Sequence, residues 1–209
     1  SGDHARGPGV LRGRDDPPGA GMRPDPTLAE LPLRPELVGE EPYGAPQIRD
    51  VVMLNVNENP YPPSPAIIAE MATAIAETAA GVNRYPDREA SALRADLAAY
   101  LGHGLDAGRV WVANGSNEVM THLLGAFAGP GRTVLTFAPT YSMYPEYARN
   151  THSEYVVVPR TPDYAISPDV AIGAIVEHSP TVVILTTPNN PTGTSTPLET
   201  TRRILAATD

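Results

Sequence analysis

The sequence predicts an α/β fold with a largely parallel sheet covered by helices on both faces. From about residue 109 onward, short runs of β-branched and apolar residues alternate with segments whose apolar residues recur every three or four positions. Strands that alternate with helices require right-handed crossovers, which place helices against a parallel sheet. A chain of 209 residues, 41% of them apolar, can bury the core that such a fold needs.

Two amphipathic helices are predicted before the alternation begins. The first, over 66–79, carries apolar residues at three- and four-residue spacing and ends before Gly81. The second, over 89–101, repeats leucine every fourth residue along one face. Each helix therefore has one face that is suited to packing.

Strands and helices then follow one another to the end of the chain. Residues 109–114 (RVWVAN) form a short β-rich run, and the turn Gly129-Pro130-Gly131 separates a helix from the next strand. After the strand at 109–114, the predicted elements are a helix over 117–128, a strand over 133–137, a helix over 143–149, a strand over 154–158, a helix over 168–178, a strand over 181–187 and a helix over 198–207.

The first 65 residues differ in composition from the rest. Residues 1–26 contain six glycines and five prolines but only five apolar residues, too few to offset the entropy of ordering them. Prolines recur every few residues over 27–65, which favours an extended arm. We therefore expect a disordered leader over 1–26, an N-terminal arm over 27–65 and an α/β domain over 66–209. We expect this domain to be partial, because the sequence stops after a helix, where another strand would follow.

Composition excludes several classes of function. The chain has 24 acidic residues against 15 basic ones, all arginine, and its net charge of −9 argues against a nucleic-acid surface. It has no cysteine for disulfides or thiolate chemistry, and its five histidines show no metal-ligand spacing, so we predict no metal site. No apolar run approaches the roughly 18 to 20 residues of a membrane span. We expect a cytoplasmic protein that does not bind membranes.

The loops that follow strands are the places to look for chemistry, because ligands of such sheets lie beyond the carboxyl ends of the strands. The first loop is Asn114-Gly115-Ser116-Asn117-Glu118. Gly115 permits an unusual turn, while Ser116 and Asn117 can cap the helix and present N–H groups to an anion. An ordinary helix cap explains the same residues, and the loop matches neither common nucleotide-binding pattern.

Two further loops carry an aromatic and an amide side chain. In Ala138-Pro139-Thr140-Tyr141, Tyr141 is placed to stack on a planar cofactor, or to pack under the loop. In the hexapeptide 188–193 (PNNPTG), Asn190 offers a neutral donor to a phenolate-like oxygen. We predict cis bonds at Ala138-Pro139 and Asn190-Pro191, since both loops turn sharply after a strand.

Five motifs occur together in an order that resembles the pyridoxal-phosphate aminotransferases of fold type I. The set is most similar to the histidinol-phosphate aminotransferases, and the resemblance runs from about Leu31 to the end. It implies an α/β large domain of that fold preceded by an N-terminal arm. The motifs are LNVNENP at 54–60, NRYPD at 83–87, GSNE at 115–118, APTY at 138–141 and NPTG at 190–193.

The resemblance assigns roles to seven residues. It implies that Ser116 and Asn117 hold the phosphate of pyridoxal 5'-phosphate, that Tyr141 stacks on its ring and that Asn190 bonds its phenolic oxygen. Three other residues receive roles in a dimer or on the substrate side. Tyr85 is similar to a tyrosine that reaches the phosphate of the neighbouring subunit, and the substrate-side residues are Tyr43 and Asn57, for which anchoring of the arm is an equal alternative.

The resemblance also implies groups that these 209 residues do not contain. The family uses a lysine to hold the cofactor covalently and move the proton, but this sequence has no lysine. We expect that lysine, together with an aspartate and substrate-binding arginines, beyond the position of Asp209. The chain alone is therefore expected to lack a catalytic residue and to be inactive.

Three functions remain open at this stage. The first is amino-group transfer between histidinol phosphate and 2-oxoglutarate in histidine biosynthesis, by a homodimer of which this chain is the N-terminal part. The second is transfer from aromatic amino acids by an enzyme of the same fold. The third is a lysine-free protein that binds phosphate or the cofactor without catalysis.

Overall fold

The computed structural model describes Thr27 and the ranges 30–40, 44, 48–52 and 57–208. The expected leader over 1–26 and the candidate residue Tyr43 lie outside the described residues. The chain divides into two compact units, Ser1–Ala69 and Glu70–Asp209, and each is described by itself. In the first unit, a single turn of 3₁₀ helix forms at Pro35–Leu37.

From α3 onward, the helices and strands alternate as predicted. In chain order they are α1 Pro65–Ala79, α2 Ser91–Leu101, α3 Gly115–Phe127, β1 Thr133–Ala138, α4 Tyr144–Asn150, β2 Glu154–Pro159, α5 Pro168–His178, β3 Val182–Ile184 and α6 Leu198–Leu205. All six predicted helices are confirmed to within a few residues, and α5 has the predicted bounds. Of the four predicted strands, three are present.

The strand predicted over 109–114 is wrong. A 3₁₀ turn occupies Ala107–Arg109, and the chain beyond it is extended at Val110 without joining the sheet. A strand needs a neighbour to satisfy its N–H and C=O groups, and no described strand pairs with this segment. The last strand is also shorter than predicted, since only Val182–Ile184 pair with β1.

The sheet is parallel, with the strand order β2-β1-β3. Val134 of the central strand β1 pairs with Tyr155 on one side and Val182 on the other. Because β1 is flanked by strands and covered on both faces, residues 133–137 are all buried. This explains why the β1 sequence is a continuous run of apolar and β-branched residues.

Two hydrophobic clusters cover the two faces of the sheet, which confirms the predicted layering. On one face, Val134 packs with residues of α3 and α4: Leu124, Tyr144, Tyr147 and Ala148. On the other face, Leu135, Phe137 and Val158 pack with residues that include those of α5 and α6: Ile166, Ala171, Ile175 and Ile204. The chain leaving β1 thus enters a helix on one face, and the chain leaving the adjacent β3 enters a helix on the other.

This divergence places a crevice at the carboxyl ends of β1 and β3. Neighbouring strands whose following helices lie on opposite faces form a topological switch point, where open α/β sheets bind their ligands. The loop from β1 to α4, residues 139–143, and the loop from β3 to α6, residues 185–197, border this crevice.

Candidate functional site

The first turn of α3 presents polar groups without a free carboxylate among them. Gly115 begins the helix with φ +78°, a left-handed conformation that favours glycine. Glu118 turns back, and its Oε2 accepts a 2.5 Å hydrogen bond from the N–H of Asn114. Ser116 and Asn117 remain exposed. The positive end of the helix dipole is therefore accessible to an anion, and the exposed side chains beside it are neutral.

Two tyrosines of the α4 region hold the side chain of Asn117. Asn117 Oδ1 accepts a hydrogen bond from the Tyr147 hydroxyl at 2.5 Å and a longer one from the Tyr141 hydroxyl at 3.4 Å. Tyr147 is only 5% exposed, so its hydroxyl is fixed by the surrounding core. With the amide oxygen occupied, the NH₂ group of Asn117 is the part that can bind an anion.

Tyr141 lies in the β1–α4 loop, one of the two loops that border the crevice. Its ring packs edge-on against Tyr144, with centroids 5.6 Å apart and planes at 86°. The Tyr144 hydroxyl in turn hydrogen-bonds Thr186 Oγ1 at 2.6 Å, beyond the end of β3. The phenol of Tyr141 is partly exposed. The structure thus connects α3, the β1–α4 loop and the β3–α6 loop through tyrosine side chains.

Asn189, the residue before the predicted ligand Asn190, is the most connected side chain of the β3–α6 loop. It is 3% exposed. Its Oδ1 accepts hydrogen bonds from Thr140 Oγ1 and Arg160 Nη2, both at 3.0 Å. Its Nδ2 donates to the carbonyl oxygen of Pro139 at 3.0 Å and to Thr192 Oγ1 at 2.8 Å. All four hydrogen bonds of the amide are therefore made within the protein.

Arg160 is a buried cation at the carboxyl end of β2. Besides Asn189, its guanidinium donates to the carbonyl oxygens of Phe137 and Tyr164, each at 3.1 Å. Burial lowers the pKa of Arg160 from its ordinary value, although the group stays charged. Among the described residues, no carboxylate forms an ion pair with Arg160. Its charge is compensated by three neutral acceptors: the backbone carbonyl oxygens of Phe137 and Tyr164 and the side-chain oxygen of Asn189.

The backbone of both loops has the predicted cis bonds. Ala138-Pro139 and Asn190-Pro191 are cis, and a third cis bond, which was not predicted, lies at Thr187-Pro188. The Ala138-Pro139 bond lies between the end of β1 and Tyr141, and the other two flank Asn189 and Asn190.

The structure brings some of the predicted site residues together. Asn117 and Tyr141 are in contact, Ser116 adjoins Asn117, and Asn190 is half-buried and adjoins Asn189. Tyr85 is fully exposed, and Asn57 is exposed in the other unit. Tyr43 lies outside the described residues.

Sequence reasoning missed three residues of this network. Tyr147, Asn189 and Arg160 contact the predicted residues or their neighbours, yet none was singled out. Asn189 had a signal, because it lies in the hexapeptide 188–193 and directly precedes Asn190. Tyr147 and Arg160 carried no motif that would have separated them from core or surface residues.

A groove of about 400 Å³ runs between the free edge of β3 and α6, lined by residues such as Thr181, Val183 and Leu205. It lies on the α6 side of the sheet, away from Asn117 and Tyr141. Within the described residues, no cluster of three or more histidine, aspartate or glutamate side chains is arranged to hold a metal ion. No helix of the described part of the chain has both the length and the apolar character needed to span a membrane.

Comparison with known proteins places the chain in a family. Residues 49–209 match the family model for aminotransferase class I and II. Because the match covers most of the sequence, the chain belongs to the class I and II aminotransferase family.

Relatives that it resembles at the sequence level include histidinol-phosphate aminotransferases. The protein of that name from Thermobifida fusca is 56% identical over 181 residues, which cover 87% of this chain and 49% of that protein. One from Mycolicibacterium smegmatis is 51% identical over 185 residues, covering 87% of this chain and 84% of that protein. The chain thus spans about half the length of the Thermobifida relative.

A solved structure shows that the fold is shared. The histidinol-phosphate aminotransferase from Sinorhizobium meliloti, in complex with pyridoxal-5'-phosphate, superposes with a TM-score of 0.60 at 22% identity. The superposition covers 70% of this chain and 38% of that one. The prediction of an aminotransferase fold of type I is confirmed.

Proposed function

We propose that this chain carries the phosphate- and ring-binding part of a pyridoxal 5'-phosphate site in an aminotransferase. The observation that carries the proposal is the contact of Asn117 with Tyr141 at the first turn of α3. The contact supports the proposal because helix N-termini favour anions, and here such an end lies beside an aromatic ring at the switch point of the sheet.

The residues present fit the proposed cofactor. A phosphate dianion requires donors and no facing carboxylate, and Glu118 is held against the N–H of Asn114 and away from this role. A planar ring requires an aromatic surface, which the partly exposed Tyr141 offers. A phenolic oxygen requires a donor, which Asn190 offers through its amide.

Each residue then has a role that its position supports. Ser116 and Asn117 bind the phosphate with their side chains and the N–H groups of the first turn. Tyr141 stacks on the ring and orients it, while Asn190 donates to the phenolic oxygen. When bound, the cofactor supplies the electron sink that amino-group transfer requires. The chain has no lysine, so these 209 residues bind the cofactor without a covalent bond to a side chain and hold no side-chain amine to move the substrate proton.

For the whole protein we propose transfer of an amino group from histidinol phosphate to 2-oxoglutarate, and the reverse reaction, in histidine biosynthesis. The support is the 49–56% identity to proteins named for this activity. Asn57 and Tyr43 of an N-terminal arm over 27–65 are proposed to bind on the substrate side. The catalytic lysine belongs to a part of the whole protein that these 209 residues do not include.

We further propose that the whole protein is a cytoplasmic homodimer. Tyr85 supports this assembly, because its side chain is fully exposed. In the dimer it would donate a hydrogen bond to the phosphate bound by the neighbouring subunit. This arrangement completes the phosphate site only when two copies associate.

A direct binding measurement tests the cofactor site. Pyridoxamine 5'-phosphate is the suitable probe, because it cannot attach to a protein amine and therefore reports contacts alone. The single tryptophan, Trp111, donates a hydrogen bond to His122 of α3 at 3.4 Å. Bound probe should quench the Trp111 fluorescence by energy transfer, and the effect should saturate.

Matched variants separate the site from non-specific binding. Tyr141→Leu removes the stacking ring and should weaken binding roughly tenfold, as expected for loss of a well-placed aromatic contact. Tyr100→Leu changes an exposed tyrosine of α2 and should leave binding unchanged. Equal affinities for the two variants, or no saturable binding by the native chain, would count against the proposed site.

Two alternative functions are compared with this proposal, and the absence of lysine is the observation that favours the first of them. A protein that binds pyridoxal phosphate without catalysis would use the same residues, and an aromatic aminotransferase would share the fold. Assays of the whole protein with histidinol phosphate and with phenylalanine as donors distinguish the three. We expect turnover with histidinol phosphate; turnover with phenylalanine alone, or with neither donor, would favour an alternative.

A further inference from the structure

The saturated amide of Asn189 joins the chain segments at the carboxyl ends of all three strands. It contacts Pro139 and Thr140 after β1, Arg160 after β2, and Thr192 within its own loop. Backbone hydrogen bonds fix Asn189 itself, from its N–H to the Thr194 carbonyl at 2.8 Å and from the Gly193 N–H to its own carbonyl at 2.7 Å. No water is needed to satisfy this buried side chain.

Arg160 determines which way the Asn189 amide points. Its guanidinium donates to Asn189 Oδ1, which fixes the amide with its oxygen toward β2 and its NH₂ toward Pro139. A hydrogen bond from a cation is stronger than one between neutral groups, particularly where water is excluded. The orientation of Asn189 is therefore set by a group outside both loops of the crevice.

Tyr141 and Asn190, the two residues that are proposed to contact the cofactor ring, are sequence neighbours of residues in this hydrogen-bond network. Thr140, which donates to Asn189, directly precedes Tyr141, and Asn190 directly follows Asn189. We infer that Asn189, oriented by Arg160, is a positioning residue that sets the distance between Tyr141 and Asn190. This inference rests on the proposed function, because it assigns the spacing to the ring of the proposed cofactor.

The variant Asn189→Asp alters this junction with the least change in volume. The carboxylate keeps an acceptor for Thr140 and gains an ion pair with Arg160, which favours folding. It loses the N–H donor to the Pro139 carbonyl. A carboxylate oxygen now faces the Pro139 oxygen, and the two oxygens repel each other. The β1–α4 loop should move away from the β3–α6 loop as a result.

Two probes distinguish misplaced ring contacts from a general loss of structure. Pyridoxamine 5'-phosphate should bind Asn189→Asp about tenfold more weakly, the effect of one lost well-placed hydrogen bond. Inorganic phosphate, which uses the first turn of α3, should bind the variant and the native chain within about twofold. An equal loss for both probes, or no loss for either, overturns the positioning role.

A second pair of variants covers the case in which Asn189→Asp does not fold. Thr192→Val removes one acceptor of the Asn189 NH₂ group and keeps the shape of the side chain. Thr194→Val is the matched control, because among the described residues no hydrogen bond of its hydroxyl is seen. Thr192→Val should weaken pyridoxamine 5'-phosphate binding about threefold and the control should not; indistinguishable variants overturn the inference.

Hydrogen exchange measured without any ligand separates failure of this inference from failure of the proposed function. In Asn189→Asp or Thr192→Val, the amides of 140–143, 189–190 and 192–194 should exchange at least threefold faster, while those of α5 keep their native rates. If the native chain binds no pyridoxamine 5'-phosphate, the proposed function fails and the exchange rates alone decide whether Asn189 joins the loops. Unchanged exchange in both loops, or faster exchange throughout the chain, overturns the inference.

Discussion

The Tyr147 hydroxyl lies 2.5 Å from Asn117 Oδ1, although the two residues are 30 positions apart. This hydrogen bond connects a buried tyrosine of α4 to the first turn of α3. The orientation of the Asn117 amide is therefore determined by the packing of α4 against the sheet, and only the NH₂ group remains available to a phosphate.

Replacing Tyr147 with phenylalanine tests this relationship. Tyr147→Phe keeps the buried ring but removes the hydroxyl, so only the longer hydrogen bond from Tyr141 still orients the Asn117 amide. We expect the affinity for inorganic phosphate, measured by isothermal titration calorimetry, to fall about threefold to tenfold. Tyr144→Phe is the control, because its hydroxyl bonds Thr186 instead. Identical phosphate affinities in the two variants would show that Tyr147 does not orient Asn117.

The layered core predicts that alanine substitutions at two adjacent leucines of α3 lower the free energy of unfolding by very different amounts. Leu124 is fully buried against Val134, whereas Leu123 is 38% exposed. Leu124→Ala should lower the free energy of unfolding by about 2–5 kcal/mol, because it removes buried methyl groups and leaves a cavity. Leu123→Ala should cost less than about 1 kcal/mol. Urea denaturation of both variants checks the register of α3, and the opposite order of stability would contradict it.

Alkaline pH should destabilise the chain through Tyr155. Burial, with a smaller contribution from Tyr144, raises the pKa of Tyr155 to about 12 from its ordinary value of 10.0. A raised folded-state pKa gives a contribution to stability that is complete below pH 10 and is lost as the pH rises through 12.

The variant Tyr155→Phe isolates this contribution. Its free energy of unfolding should fall less between pH 9 and about pH 12 than that of the native chain, because phenylalanine cannot ionise. Tyr100→Phe, at an exposed position of α2, should follow the native profile. Parallel pH profiles for the native chain and Tyr155→Phe, measured by urea denaturation, would remove Tyr155 as the cause.

The absence of lysine predicts where the cofactor aldehyde can attach. Borohydride fixes a cofactor that is joined to an amine, and the only amine of these 209 residues is the terminus at Ser1. After incubation with pyridoxal 5'-phosphate, reduction and digestion, the peptide that contains Ser1 should carry all of the label. A labelled internal peptide, or measurable transaminase turnover by these 209 residues, would contradict the account of the missing catalytic amine.

The fold was predictable where the residues of a single segment determine its secondary structure. The apolar spacing of α5 and the β-branched run of β1 specify their structures locally, and both were predicted closely. The segment 109–114 has the same β-rich character but no described strand beside it, so it stays unpaired. A strand differs from a helix in this respect, because its hydrogen bonds depend on residues far away in the sequence.

The same distinction explains which site residues were predicted. Asn117, in the first turn of α3, and Tyr141, in the β1–α4 loop, both lie in recognisable motifs, and the structure joins them. Arg160 and Asn189 are 29 residues apart, and Pro139 is 50 residues from Asn189. Only the strand order β2-β1-β3 brings these ends together. That strand order cannot be predicted from the periodicity of the sequence.

The central claim is that the crevice between β1 and β3 binds the cofactor, and mapping amide chemical shifts by NMR tests it most directly. Titration with pyridoxamine 5'-phosphate should shift three groups of amides together: 115–118 at the start of α3, 140–142 after β1, and 189–190 with 192–193 after β3. Shifts confined to the groove between β3 and α6, around Thr181 and Leu205, would place the ligand elsewhere and contradict the account.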